Sequence, residues 1–257
     1  MLRSVRLSAA LVGFLLLAPA TASADKTFAV GSCHGPAPNA AVGWIGYATG
    51  QGVTANTCAA NGTLRAALNS DQPSGDSTAG WRFAAPAGTS IVRVRAIRAT
   101  NGFSAGPSSQ ENDSAYILQT NDQTLEICRA SRSTTCIADL TAPFDKQGLR
   151  ASFVEFQVLC TNGGLPCTRR VSVDAGAVLV DLADPTPPVV SNARLIDDGE
   201  TSGTLSVGFD AADIGGGVYR ALVKVDGQIA QTIPLGGASC VDAVSYKNLT
   251  LPTIRLV

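Results

Sequence analysis

The chain has few of the residues on which most catalytic and metal sites depend. It contains one histidine and one methionine, and aromatic side chains make up 5% of its 257 residues. Structural zinc sites and Ser-His-Asp hydrolytic sites both draw on histidine. His34 is the sole histidine, and no G-x-S-x-G nucleophile elbow is present. We therefore predict that His34 is a surface or turn residue and that the chain is not an enzyme.

Charge is also sparse and shows no pattern. Charged residues make up 15% of the chain, the formal net charge is −1, and the basic residues are scattered. A protein that binds a phosphate backbone normally carries a basic face or stripe. Nucleic acid is therefore not an expected partner.

The one long apolar run lies at the start of the chain. Arg3 and Arg6 precede an apolar stretch over residues 7–18, and a small-x-small sequence at 22–24 comes before Asp25. These are the parts of a secretory signal peptide, and the stretch is shorter than the ~20 residues that span a bilayer. We predict a signal peptide over residues 1–24, a secreted or cell-surface protein, and no membrane span in the mature chain.

Seven cysteines are present, and in an exported chain they indicate disulfides. Their spacing is wider than the tight C-x2-C pairs of structural zinc sites, so no metal is expected. Two pairs each flank a plausible turn, and a third pair remains near the mature start. We predict three bridges and one odd cysteine, Cys240. The predicted bridges are Cys33–Cys58, Cys128–Cys136 and Cys160–Cys167.

The sequence up to residue 183 alternates apolar and polar side chains, which is typical of half-buried strands. Within Ser90–Arg98 the alternation places Val92, Val94 and Ala96 on one face. Turn sequences at 86–88, 162–164 and 174–176 separate such runs, and only Thr63–Asn69 resembles a helical turn. Further strands are predicted at 115–119, 124–128, 153–160, 170–173 and 177–180.

These features predict two all-β domains separated by the proline-rich linker 184–188. Residues 25–183 should form a jelly-roll-like β-sandwich. Residues 189–243 read as part of an immunoglobulin-like β-sandwich, with a hairpin turn at Asp226-Gly227. About half the strands of such a domain are present, so we expect this domain to be incomplete.

The motifs on either side of the linker resemble those of secreted multidomain proteins of GC-rich soil bacteria. One motif is the stretch 79–89, Ala-Gly-Trp-Arg-Phe followed by Ala-Pro-Ala-Gly-Thr. The other combines Pro187-Pro188 with Gly203, the acidic stretch 210–213 and the glycines at 215–217. The resemblance implies a jelly-roll-like module followed by an Ig-like module, and it implies no catalytic residue.

Residues 244–257 resemble the peptide produced when a sequencing adaptor is translated at the broken end of a gene. This resemblance implies that the natural chain diverges near Asp242 or Ala243. It also implies that the tail has no selected contacts and that Cys240 lacks its natural partner.

Acidic side chains offer two alternatives to a purely structural role. Glu126 and Glu155 lie on predicted strands and are the candidates for a glycosidase-type carboxylate pair, although a lone outward glutamate usually faces solvent. Calcium prefers several carboxylate oxygens, but Asp is also an ordinary turn residue. The acidic residues near the linker are Asp181, Asp184, Asp197, Asp198, Asp210 and Asp213.

Three aromatic side chains are the candidate ligand-binding residues: Trp44, Tyr47 and Trp81. Their flat faces could stack on a sugar ring, while core packing is the alternative role, above all for Trp81. We therefore expect a non-catalytic extracellular binding or adhesion module, with carbohydrate of a cell surface or of biomass as the leading ligand class. The alternatives are a structural spacer of a cell-surface protein, or an accessory region of a secreted glycoside-active enzyme.

Overall fold

Strands dominate the part of the chain that the structure describes. The computed structural model describes residues 27–33, 40–71, 73–102, 114–130, 135–136, 143–160, 165–167, 170–195, 207–218, 220–225, 227–234 and 243–246. Within these ranges the regular elements are β-strands and one 3-10 turn at Cys58–Ala60. The predicted all-β class is confirmed. The predicted signal peptide, His34 and Cys240 lie outside the described residues.

The strands before the linker form two sheets, each with six described strands. In chain order they are β1 (Thr27–Ser32), β2 (Trp44–Thr49), β3 (Gly52–Asn56), β4 (Leu64–Leu68), β5 (Thr78–Ala84), β6 (Ser90–Asn101), β7 (Ser114–Thr120), β8 (Thr124–Ala130), β9 (Thr135–Cys136), β10 (Phe144–Ala151), β11 (Phe153–Cys160) and β12 (Val171–Ala183). The predicted helical turn at Thr63–Asn69 is wrong, because these residues contain β4. Its buried Leu64, Ala66 and Leu68 alternate as in a strand.

Eight of these strands follow the order of a jelly roll. One sheet, here sheet A, contains β10-β6-β12-β4 as neighbours, and the other, sheet B, contains β5-β11-β7-β8. Successive strands move between the sheets in the pattern of that fold. The remaining strands extend the sheets: β3 pairs with β4, β1 with β12, β2 with β5, and β9 with β8.

β12 is one continuous strand, whereas the sequence predicted two strands separated by a turn at 174–176. It pairs with β6 along one edge, and along the other edge with β4 and then β1. The glycine that suggested a turn lies at a register shift between Ala175 and Ala177. Gly176 is therefore a bulge residue in a long strand, a second common use of glycine in sheets.

The space between the sheets holds a single apolar core. Trp44 packs at its centre, with ring centroids 5.8 Å from Phe83 and 5.5 Å from Phe156. The largest fully buried side chains include Tyr116, Leu64, Leu68, Ile91, Leu182, Val94, Val154 and Val158. These residues come from both sheets, so burial of their apolar surface stabilises the sandwich as one unit.

Two of the three predicted disulfides are confirmed, Cys33–Cys58 and Cys160–Cys167. The sequence suggested that the second bridge joins the two strands of a hairpin. It does not, because β11 and β12 lie in opposite sheets. It instead closes the crossover between them. Cys128 is disulfide-bonded and lies directly across from Cys136 in the register of β8 and β9. The pairing of these two residues stays a prediction.

The strands after the linker form a smaller two-sheet unit. They are β13 (Val189–Leu195), β14 (Val207–Ala212), β15 (Arg220–Val225), β16 (Gln228–Pro234) and β17 (Ala243–Tyr246). One sheet has the order β13-β14-β17 and the other is the β15-β16 hairpin, which corresponds to strands A, B, E and C, C′ of an Ig-like sandwich. Phe209, Ala211, Val218 and Ile233 form its core. Within the tail predicted to lack selected contacts, Val244–Tyr246 pair with β14, and the non-native origin of residues 244–257 stays a prediction.

The junction between the two units is closely packed. Asp184 is buried, and its carboxylate accepts hydrogen bonds from the backbone N–H groups of Thr186 at 3.0 Å and of Gly216 at 2.6 Å. At Gly88, an added Cβ would lie 1.9 Å from the carbonyl oxygen of Ile214. A loop of the second unit therefore contacts both the linker and a turn of the first.

Candidate functional site

The outer face of sheet B carries a hydrogen-bonded group of polar side chains beside a surface groove. Alternation along β2, β5 and β11 sends one set of residues inward and the next outward. The register places Tyr47 across from Gly80 and Arg82 across from Glu155. On the other side of β11, Glu155 lies across from Gln119 of β7. Four neighbouring strands thus contribute side chains to this face.

The centre of this face is Glu155, which is only 3% exposed although it points away from the core. Its carboxylate accepts hydrogen bonds from Arg82 Nε at 2.7 Å, Gln119 Nε2 at 2.6 Å and the Tyr47 hydroxyl at 3.3 Å. Arg82 Nη2 lies 2.7 Å from the same carboxylate and completes an ion pair. Polar partners rather than apolar packing therefore cover Glu155. We name Tyr47, Arg82, Gln119 and Glu155 the outer polar cluster.

Tyr47 lies flat across the sheet because Gly80 leaves room for it. A Cβ at Gly80 would lie 2.5 Å from the Tyr47 hydroxyl oxygen and 2.9 Å from the Cβ of Gln157. The hydroxyl is also 3.1 Å from Gln157 Oε1. Burial and the Glu155 carboxylate raise the pKa of the Tyr47 phenol above its ordinary range. The phenol therefore stays protonated, and its one O–H hydrogen is shared between Gln157 Oε1 and the Glu155 carboxylate.

Arg82 is held on two sides. Its guanidinium carbon lies 4.3 Å from the centre of the Phe153 ring, within the range of a cation–π contact. The hydrogen bond to Glu155 raises the pKa of Arg82, so its charge is permanent. Half of its side chain remains exposed. The guanidinium is thus fixed in place and still open to solvent.

A surface groove of about 330 Å³ lies next to the cluster, lined by Ile45, Tyr47, Arg82 and Ala84. Ile45 is 72% exposed, so an apolar side chain is open to solvent beside the outer polar cluster. The groove is at the lower end of the volumes found for small-molecule sites. An apolar surface beside fixed polar groups suits a ligand that has both apolar and hydroxyl-bearing faces.

The structure brings only one of the three predicted ligand-binding residues to this site. Tyr47 is half-buried and lines the groove. Trp44 and Trp81 are 6% and 7% exposed, and the Trp81 indole donates a hydrogen bond to the Arg65 carbonyl at 2.9 Å. Their rings face the core, because the inward side of β2 and β5 carries them. This corrects their assignment: stacking on a sugar needs an exposed ring, and neither indole has one.

Glu126 is not a solvated surface residue as its strand pattern suggested. It points into the core and is 4% exposed. There it pairs with Arg98 of sheet A and accepts a hydrogen bond from the Tyr116 hydroxyl at 3.0 Å. Glu126 and Glu155 lie on opposite faces of sheet B. They cannot flank one glycosidic bond, which is what a carboxylate pair in a glycosidase must do.

The acidic residues near the linker accept hydrogen bonds from protein groups. Asp181 forms an ion pair with Arg95 at 2.7 Å. Asp184 accepts the hydrogen bond from the Gly216 backbone N–H at the junction. Asp210 accepts a hydrogen bond from the Asn192 amide at 2.6 Å. Asp197 and Asp198 lie outside the described residues. Within the described ranges, no group of three or more His, Cys, Asp or Glu side chains is placed to hold a metal ion.

No helix in the described part of the chain is both long enough and apolar enough to cross a membrane. Comparison with protein families, with curated proteins and with solved structures finds no match for this chain. The jelly-roll order and the geometry of the outer polar cluster are therefore the basis for a functional proposal.

Sequence reasoning missed Arg82 and Gln119 of the outer polar cluster, and it named Glu155 only as a catalytic candidate. Arg82, Gln119 and Glu155 come from strands that are distant in sequence, and only the register of the sheet makes them neighbours. One signal was present: Gly80 sits in a strand beside bulky residues, and a glycine in a strand often marks a close approach.

Proposed function

We propose that this chain is a non-catalytic extracellular binding module that holds carbohydrate on the outer face of sheet B. The observation that carries the proposal is the outer polar cluster, where Glu155 fixes Tyr47 and Arg82 beside the exposed Ile45. A sugar ring has an apolar face of C–H groups and a rim of hydroxyls. Ile45 and the Tyr47 ring can pack against the apolar C–H face. The fixed N–H donors of the cluster can hydrogen-bond to the hydroxyls.

The jelly-roll order and the disulfides support an extracellular role. Jelly-roll sandwiches include lectin domains, and two disulfides brace this one. Disulfides persist mainly outside the reducing cytosol. Fold alone does not assign function, so the outer polar cluster carries the proposal.

A glycan array probed with this chain is the first test. Ile45→Ala and Tyr47→Ala should each weaken binding to the best glycan, by about tenfold for Ile45 because apolar contact area is lost. The matched control is Ile97→Ala, since Ile97 is 60% exposed on the outer face of sheet A, on the other side of the sandwich. Equal losses from Ile45→Ala and Ile97→Ala would show that the groove is not the binding site.

A structural spacer is the second candidate, and the packed junction favours it. Asp184 ties the linker to Gly216, so the second unit has a fixed attachment to the first. A spacer would bind no glycan, and the array separates the two functions. An accessory region of a glycoside-active enzyme would bind glycan through the same groove and would differ only in what it is attached to.

A further inference from the structure

The charges around the groove are already paired. Glu155 carries the negative charge and Arg82 the positive one, and their atoms lie 2.7 Å apart. Elsewhere on the outer face of sheet B, the described charged residue is Arg129 on β8. Strands β7 and β11 separate Arg129 from the groove, which lies on β2 and β5. Arg129 pairs with Ala115 of β7, and Ala115 pairs with Leu159 of β11. The groove therefore has no net charge of its own.

Glu155 is closed to a ligand by its own partners. The two nitrogens of Arg82 and the Tyr47 hydroxyl meet its Oε2 atom, and the Gln119 amide donates to Oε1. Glu155 is only 3% exposed and does not line the groove. Its carboxylate is therefore not open to a ligand hydroxyl. Its role is to position Arg82, Gln119 and Tyr47.

The hydrogen-bonding groups that remain open to a ligand are suited to uncharged hydroxyls. Arg82 keeps N–H hydrogens beyond those that face Glu155, and the amides of Gln119 and Gln157 keep N–H hydrogens as well. The Tyr47 oxygen keeps acceptor capacity. An anionic ligand would instead approach the Glu155 carboxylate, with the nearest cation already committed to that carboxylate.

We propose that the groove selects uncharged sugars over acidic ones and that Glu155 sets this selectivity by neutralising Arg82. This inference rests on the proposed carbohydrate function. It assigns Glu155 as a positioning residue, because it acts through Arg82 and does not contact the ligand. Removing its charge without changing its shape should leave Arg82 as an unpaired cation and open the groove to acidic sugars.

The test measures binding of two matched probes by calorimetry: a hexasaccharide of β-linked glucose or xylose, and a hexasaccharide of galacturonic acid. The unmodified chain should bind the neutral probe at least about tenfold more tightly than the acidic one. Glu155→Gln should remove or reverse that preference, and the gain for the acidic probe should weaken with added salt. The double variant Arg82→Gln with Glu155→Gln should show no such gain, because it removes the cation as well. Tryptophan fluorescence confirms that each variant is folded.

Each outcome has a distinct meaning. If the unmodified chain binds the acidic probe as tightly as the neutral one through the groove, or if Glu155→Gln leaves the ratio unchanged, the selectivity proposal is wrong while the carbohydrate function stands. If neither probe nor any glycan on the array binds, or if binding is insensitive to Tyr47→Ala, the carbohydrate function itself is wrong and the selectivity proposal falls with it.

Discussion

The ring of Tyr47 occupies the space that a side chain at Gly80 would need. The two residues are direct neighbours across β2 and β5, and a Cβ at Gly80 would lie 2.6 Å from the ring carbon that bears the Tyr47 hydroxyl. On the inward face of the same two strands the arrangement is reversed: a Cβ at Gly46 would lie 3.1 Å from the Trp81 ring. Each face thus pairs one glycine with one aromatic ring.

Gly80→Ala should displace Tyr47 from the sheet and separate its hydroxyl from Glu155. The pKa of the Tyr47 phenol should then fall back toward its ordinary value, because burial and Glu155 no longer raise it. An ultraviolet titration of the phenols measures this. Gly176→Ala is the control, since a Cβ there meets nothing closer than 3.8 Å. An unchanged titration in Gly80→Ala would contradict the packing of Tyr47 over Gly80.

Trp44→Ala should destabilise the first sandwich instead of acting on binding alone. Loss of a buried tryptophan costs about 3–5 kcal/mol, because it leaves a cavity between Phe83 and Phe156. The neighbouring Ile45→Ala should change stability by about 0.5 kcal/mol or less, since Ile45 is exposed. Urea unfolding followed by Trp81 fluorescence gives both values. A small effect of Trp44→Ala would mean that its ring is not in the core.

Removing one partner of the Arg98–Glu126 ion pair inside the sandwich should lower the free energy of unfolding more than replacing both partners. Glu126→Ala leaves a buried guanidinium without its counter-charge and should cost about 3–5 kcal/mol. The double variant Arg98→Met with Glu126→Leu should cost less than Glu126→Ala alone, because no unpaired charge remains. A double-mutant cycle that compares Arg98→Met, Glu126→Leu and the double variant by urea unfolding measures the coupling. Additive costs would argue against a direct interaction.

Alkaline pH should weaken the first sandwich through Tyr116. Burial, and then the Glu126 carboxylate, raise the pKa of this phenol well above its ordinary 10.0. The unfolded chain therefore loses the Tyr116 proton before the folded chain does. The stabilisation is complete below about pH 10 and is lost as the pH rises toward the folded value.

Tyr116→Phe should accordingly flatten the fall in the free energy of unfolding above about pH 10. It should also lower stability at neutral pH, because the hydrogen bond to Glu126 is lost. Urea unfolding over a range of pH values measures both effects. The same alkaline slope in the variant and in the unmodified chain would exclude Tyr116 as its source.

The alternation of apolar residues predicted where the strands lie, and it failed where a strand departs from strict period two. In β6 the pattern grouped Val92 with Val94 and Ala96. A register shift between Ile91 and Arg93 instead turns Ile91 inward and leaves Val92 half-buried. A bulge adds one residue and reverses every side chain on one side of it, and no residue type in this stretch announces it.

The charged residues show a second limit of sequence reasoning. Arg98 is in phase with the buried Val94 and Ala96, but its charge argued for solvent. Glu126 lies between the apolar Leu125 and Ile127, so both its pattern and its charge argued for solvent. Each is buried because the other is present on the facing sheet, and a sequence does not show which strands face each other. The same holds for Glu155, whose cover of Tyr47, Arg82 and Gln119 exists only in the folded register.

The position of β12 constrains when the first sandwich can form. β12 is the last strand of that unit in the chain, yet it lies in the interior of sheet A and pairs with β1, β4 and β6. Until residues 171–183 have left the ribosome, the first strand has no edge to join, and β4 and β6 have no common neighbour. The nascent polypeptide should therefore remain unfolded through most of its synthesis and then close in one late, cooperative step. Such long-range closure is intrinsically slow.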